Sequence, residues 1–260
     1  MLPERIGEAA KEGDLETIRA YFEDDSNGER DVDDVCESEN SIMWRTLMTP
    51  LMWCAAGDGD RVTRRNVEVA GYLLTRGASI DEIHTGHTAL LVACYCGGGT
   101  VTEMIELLLS AGANPNFRNQ SGESGRTPLS AHVRFCRNPS VECVTALLRA
   151  GASLDRVYVE YPFEYHFPAD INYRHNEPFW RPIRALAAGV RRHGSLKSYL
   201  REPHREVLLL RGLAMRGHLA PKGTRRTRRT QKWTAAAAFL ARLGDNGVVW
   251  NVLSFWRATK

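Results

Sequence analysis

Three stretches of the 260-residue chain repeat one pattern, a turn followed by two short helices. Each stretch opens with Thr-(Pro/Ala)-Leu, at Thr49, Thr88 and Thr127, and closes with Leu-Leu-x-x-Gly-Ala. A repeat limits the fold more than any single motif does, because each unit must bury its apolar face against its neighbours. The pattern predicts a stack of helical hairpins.

Each part of the repeat has a local physical reason. Pro50 and Pro128 suit the first helical position, where a missing N–H costs nothing, and the preceding threonine can cap the free N–H groups. The second helix carries apolar residues at the i, i+4, i+5 spacing of an amphipathic helix. Gly77, Gly112 and Gly151 follow it, where a left-handed backbone is needed.

These motifs resemble the ankyrin repeat family, whose unit is about 33 residues with a T-P-L-H-x-A core. Here Pro50 to Ala89 is 39 residues and Ala89 to Pro128 is again 39, which indicates insertions in the connecting turns. The family histidine is replaced by Met52, Leu91 and Ser130.

Weaker copies extend the resemblance over roughly residues 4–220. Residues 6–24 resemble a first hairpin with the polar surface of a terminal cap. PIRALAAGV (Pro182–Val190) resembles a degraded first helix, and Arg205–Ala220 resembles its second helix. The expected fold is all-α, an ankyrin-type helical-hairpin solenoid of three clear and two degenerate repeats plus a short C-terminal helical pair.

The predicted organisation has six parts. They are an N-terminal capping hairpin with an acidic loop (1–48), core repeats (49–156), an aromatic-rich insertion (157–181), a degenerate repeat (182–220), a basic linker (221–232) and C-terminal helices (233–260).

Charge is uneven along the chain, with a net −11 over residues 1–60, +2 over 61–158 and +12 over 159–260. Such asymmetry suggests different partners at the two ends, or contact between them. The six cysteines lack paired CxxC spacing, and most fall in apolar helical patterns, which favours buried thiols in a reducing compartment. The sequence shows no pattern typical of a secretory signal and no apolar run long enough for a membrane-spanning helix. We expect a cytoplasmic or nuclear protein, or one found in both compartments.

Three segments leave alternatives open. Glu23–Asp34 nearly fits a calcium loop but ends on a short aspartate, so a solvated acidic loop is favoured. Residues 158–180 hold 8 of the 22 aromatic side chains. This segment either forms a contact surface for a partner or folds back to cover the apolar end of the repeat stack. Lys222–Lys232 carries six positive charges and suits a linker or an import signal better than a nucleic-acid site, since it lacks interleaved aromatics.

The C-terminal segment gives an alternative function. LGDNGVVWNVLSFW (Leu243–Trp256) resembles the opening of an F-box, although an F-box is about twice as long as the residues that remain. Val249, Val252, Leu253 and Trp256 form one apolar face. The resemblance implies an adaptor that recruits a Skp-type subunit of a ubiquitin ligase. Alternatively, this apolar face packs on the repeats and has no partner outside the chain.

No catalytic motif or metal-ligand spacing occurs, and no catalytic residue, metal or cofactor is predicted. The ankyrin resemblance implies a protein–protein interaction scaffold that binds a partner on a concave surface of turns and inner helices. Transferred to this sequence, the partner-binding residues are Ile80, Asp81, Glu82, His84, His87, Asn116, Arg118, Asn119, Asp155, Arg156 and Tyr158.

Overall fold

A computed structural model of the chain describes residues 1–24, 31–36, 47–59, 61–97, 100–119, 125–136, 138–154, 177–202 and 209. The helices are α1 (Glu4–Glu12), α2 (Leu15–Glu23), α3 (Pro50–Ala56), α4 (Arg64–Thr75), α5 (Ala89–Tyr95), α6 (Val101–Ser110), α7 (Pro128–Phe135), α8 (Val141–Arg149) and α9 (Glu177–His193). Residues 196–202 are also helical. The chain divides into two units, Met1–Ala188 and Gly189–Lys260.

Helices α1 to α8 of the first unit form two layers. In one layer α1, α3, α5 and α7 lie side by side, each in contact with the next. In the other, α2 contacts α4, α4 contacts α6, and α6 contacts α8. Each helix of one layer also packs against its hairpin partner in the other. The expected all-α repeat fold is confirmed, and the described residues contain isolated β-bridges but no strand.

The predicted start signals are present at the inner helices. The hydroxyl oxygens of Thr49, Thr88 and Thr127 each accept a hydrogen bond from the backbone N–H three residues on, at 3.3 Å. Pro50 and Pro128 occupy the first helical position. The Thr-Pro-Leu and Thr-Ala-Leu motifs therefore set where these helices begin.

The predicted stop signals are present at the outer helices. Gly77, Gly112 and Gly151 have φ values of 93, 97 and 93°. The residue after each glycine donates its N–H to a carbonyl in the last turn, as Ala78 does to Leu73 at 3.1 Å. This closure satisfies carbonyl groups that the end of a helix would otherwise leave without a partner.

The core lies between the two layers. Every residue of α3 and α5 is buried, as are all six cysteines. Burial raises the pKa of the Cys36 thiol to about 12 and that of Cys136 to about 11, so both stay protonated at neutral pH. The expectation of buried thiols is confirmed.

Helix α9 differs from the inner helices of the core repeats. It begins at Glu177, five residues before the position expected from Pro182, and runs for 17 residues with that proline inside it. The predicted second helix of the degenerate repeat (205–220), the basic linker and the C-terminal helices lie outside the described residues, apart from Leu209, which is helical and exposed.

The described part of the second unit is a short helical turnback. The Tyr199 ring packs directly on Gly189, where a Cβ atom would collide with it. His193 Nε2 pairs with the Glu202 carboxylate. Across the described ranges, no helix has both the length and the apolar character that a membrane crossing requires.

Candidate functional site

Three connections between successive hairpins project from one edge of the repeat stack. We call them finger 1 (31–48), finger 2 (79–87) and finger 3 (114–126), and parts of fingers 1 and 3 are described. Backbone hydrogen bonds close each base: Cys36 with Met48 at 3.0 and 3.3 Å, His84 with His87 at 3.1 and 2.9 Å, and Asn119 N–H to the Arg126 carbonyl at 3.0 Å. The bases enclose 11, 2 and 6 residues. The insertion expected at Phe117–Arg126 from the repeat spacing therefore lies within finger 3.

Finger 2 ends in a tight hairpin turn. Thr85 and Gly86 have φ values of 51 and 78°, the left-handed conformation at both central positions that a type I′ turn requires. A β-branched residue is strained there, so the exposed Thr85 is held in place by the hydrogen bonds around it. One of these joins His87 Nδ1 to the Thr85 carbonyl at 2.9 Å.

Polar side chains connect each finger to the next unit of the stack. The Asp33 carboxylate accepts the Ser79 N–H at 2.9 and 3.0 Å, and the Asp81 carboxylate accepts the Asn114 N–H at 3.0 and 3.2 Å. Asn116 continues the series, with its Oδ1 accepting the N–H of Ser153 at 2.8 Å. We call these three contacts the finger ladder.

Two residues that were expected to contact a partner instead form part of the finger ladder. Asp81 and Asn116 each lie four residues after the glycine that ends an outer helix, and both use their side chains within the molecule. Sequence reasoning singled out neither this function nor Asp33. The recurring polar residue after Gly-Ala was the available signal.

A buried polar contact joins fingers 2 and 3. Asn119 is 1% exposed, and its Nδ2 donates to His87 Nε2 at 3.3 Å. Burial lowers the pKa of His87 from its ordinary value, and the nearby Arg126 charge lowers it further. Asn119 is therefore a joint between fingers, because its side chain has almost no surface to offer a partner.

An arginine–aromatic cluster lies beside this joint. The Arg126 guanidinium lies 4.1 Å from the Phe135 ring centroid, and its Nη1 donates to Tyr95 Oη at 3.2 Å. Arg134 lies 5.4 Å from the same Phe135 centroid. Sequence reasoning missed this cluster, although repeat register gave a signal: Arg126 directly precedes its threonine as His87 does, and Tyr95 and Arg134 both follow theirs by seven residues.

The predicted partner-binding residues thus separate into groups. Asp81 and Arg118 are exposed, whereas Ile80, Glu82, His84, His87 and Asn116 are half-buried and Asn119 is buried. Asp155, Arg156 and Tyr158 lie outside the described residues, as do the adaptor-face residues Val249, Val252, Leu253 and Trp256. Since α3 and α5 are wholly buried, the fingers carry the accessible predicted residues, and the inner helices do not.

The predicted calcium-loop alternative falls only partly on described residues. Glu23 accepts a hydrogen bond from Tyr72 Oη at 3.2 Å, Asp33 is used by the finger ladder, and Asp34 pairs with the N-terminal amine at 3.1 Å. In the ranges that the structure describes, no three His, Cys, Asp or Glu side chains group in a way that could hold a metal ion.

Comparison with known proteins finds ankyrin repeats in the N-terminal part of the chain. Residues 6–119 match the family model of ankyrin repeats, in three copies. The match begins in α1, so the N-terminal hairpin is itself a repeat, and α7 and α8 continue the same two layers beyond it. No curated protein matches the chain. Ankyrin repeats are generally non-catalytic modules for protein–protein interaction.

Proposed function

We propose that this chain binds a partner protein through fingers 1 to 3, without catalysing a reaction. The exposed apolar side chains of the fingers carry the proposal. Among the described residues, four large apolar side chains are exposed, and two of them, Leu47 (38%) and Ile83 (53%), belong to fingers 1 and 2. An exposed apolar side chain is stabilised when a partner buries it.

The contacts between the described residues of the fingers support the same function. A partner that binds ordered loops avoids much of the entropic cost of fixing them. The finger ladder and the contact between Asn119 and His87 brace fingers 2 and 3 against each other, whereas the side chains of Ile83 and Arg118 extend from them. In this arrangement one set of residues stabilises the fingers, and a different set is available to contact a partner.

Site-specific photo-cross-linking tests this proposal. A photoreactive amino acid at Ile83 or Arg118 should give discrete adducts in extracts of cells that express the full chain. The same amino acid at the exposed Ser110, at the end of the outer helix α6, is the matched control and should give none. Equal labelling from all three positions would show that the fingers are not the binding surface.

The adaptor function remains a second proposal, supported by the resemblance of Leu243–Trp256 to the start of an F-box. If it holds, the purified full chain should bind a purified Skp-type subunit, and Trp256→Ala together with Leu253→Ala should abolish binding. Unchanged binding by this variant, or no binding by the unmodified chain, would end the adaptor proposal.

A further inference from the structure

The arginine–aromatic cluster is a concentration of positive charge beside finger 3. Three arginine side chains belong to this cluster and its surroundings: Arg118 and Arg126 in finger 3, and Arg134 in the last turn of α7. Arg118 packs along Gly125, where a Cβ atom would lie 2.8 Å from its Cγ, and Gly125 directly precedes Arg126. Arg126 and Arg134 share the Phe135 ring. Arg126 and Arg134 are thus close to each other at one ring, and Arg118 lies against the residue that precedes Arg126.

The cluster is ordered by its rings. The guanidinium groups of Arg126 and Arg134 lie 4.1 and 5.4 Å from the Phe135 ring centroid. The Tyr95 hydroxyl also accepts a hydrogen bond from the Arg126 guanidinium. Stacking on rings restricts the rotamers of an arginine, so that less entropy is lost when its N–H groups bind a carboxylate. A guanidinium group can donate two parallel hydrogen bonds to the two oxygens of one carboxylate.

Two of the three charges are open to a partner. Arg118 and Arg134 are exposed, and within the described part of the chain neither forms an ion pair. Like charges placed together on an ordered surface favour a partner of opposite sign and raise its rate of association.

We infer that Arg118, Arg126 and Arg134 bind an acidic segment of the partner protein, with Arg118 and Arg134 pairing with its Asp or Glu carboxylates around the fixed Arg126. The inference rests on the proposed function and specifies the chemistry of the partner. Protein carboxylates fit better than a nucleic acid for two reasons. Tyr95 is 4% exposed and Phe135 is occupied by guanidinium groups, which leaves neither ring open for base stacking. Three phosphate contacts would also give only a modest gain, with a salt slope of about 3.

Selection from a displayed library of random peptides tests the inference. The full chain is the bait, beside the variant Arg118→Gln/Arg134→Gln, in which both substituted side chains are exposed. The variant Arg64→Gln/Arg149→Gln removes the same charge from exposed positions on the outer helices and serves as the matched control. Enriched peptides are then synthesised, and their affinities are measured by fluorescence anisotropy.

The expected result is an excess of Asp and Glu in the enriched peptides over the unselected library. Their affinity should fall by on the order of tenfold in Arg118→Gln/Arg134→Gln, and by no more than about twofold in the control. Raising the salt from about 50 to about 200 mM should weaken binding to the unmodified chain more than to the first variant.

Several outcomes overturn the inference. Enriched peptides without an acidic excess, or equal binding by the variant and the unmodified chain, would do so. So would stronger Arg-dependent binding of a single-stranded oligonucleotide, or a concentration-dependent dimer of the chain that the variant abolishes. If neutral peptides are enriched and lost in Ile83→Asp, the proposed function stands and the acidic-segment inference fails. If no peptide is enriched, both fail.

Discussion

Protonation of the buried His132 should make the repeat stack unstable in mild acid. Its side chain is 0% exposed, Nε2 accepts the Ser140 N–H at 3.0 Å, and Nδ1 lies 3.3 Å from the Cys94 carbonyl. The ring is therefore neutral, with its proton on Nδ1, and joins α5 to the hairpin of α7 and α8. Burial lowers the pKa of His132 to about 4.

The sign and size of the effect follow from linkage. The folded-state pKa is about 4 and the unfolded value about 6.5, so between them the unfolded chain binds more protons and stability falls as pH falls. Above about pH 6.5 the contribution is complete. On lowering the pH from about 7.5 to about 5, this one group should reduce the free energy of unfolding by about 2 kcal/mol.

Urea unfolding followed by circular dichroism at both pH values measures this loss. The comparison is between the unmodified chain and His132→Asn, which keeps a donor and an acceptor but does not titrate. His87, whose pKa is also lowered, contributes equally to both proteins and cancels in the difference. Equal losses of stability in the two proteins would refute the assignment of the effect to His132.

Three further substitutions test the joints and the core by thermal or urea unfolding. Asn66→Asp should cost at least about 2 kcal/mol, because Asn66 Nδ2 donates to two carbonyl groups at the end of α1, at 3.0 and 2.7 Å, and a carboxylate there would repel them; no loss would mean that this joint opens freely. Thr85→Asn should stabilise by about 1 kcal/mol, since Asn tolerates positive φ and Asn-Gly favours the turn, and a loss would contradict the left-handed assignment. Leu108→Ala, at a fully buried position, should cost about 2–5 kcal/mol, whereas a cost near that of an exposed truncation such as Arg149→Ala would contradict the stacked core.

Features set by neighbours in the chain were predictable from sequence. A threonine that caps a helix bonds three residues away, and a glycine that ends one acts within its own turn. The repeat then predicted the stacking, since equivalent apolar faces must meet. For these reasons the starts of α3, α5 and α7 and the ends of α4, α6 and α8 agree with the pattern.

Contacts between distant residues were not predictable in the same way. Asn66 contacts residues more than 50 positions earlier, and Asp33 contacts Ser79 across 46 positions. The identity of a single polar residue does not show whether its side chain bonds to solvent, to a neighbouring repeat or to another protein. Asp81, Asn116 and Asn119 were for this reason selected as partner contacts, whereas Arg126 and Phe135 were overlooked.

The finger ladder has a consequence for how such a surface can diversify. Its bonds are made to main-chain N–H groups, which every residue except proline provides, and two of its acceptors, Asp81 and Asn116, lie four residues after the glycine that ends an outer helix. Residues of fingers 2 and 3 that lie outside these bonds and outside the contacts of His87, Asn119 and Arg126 can vary in kind without loosening the scaffold. A chain with this construction can acquire a new recognition specificity by altering a few tip residues, while the helices behind them stay as they are.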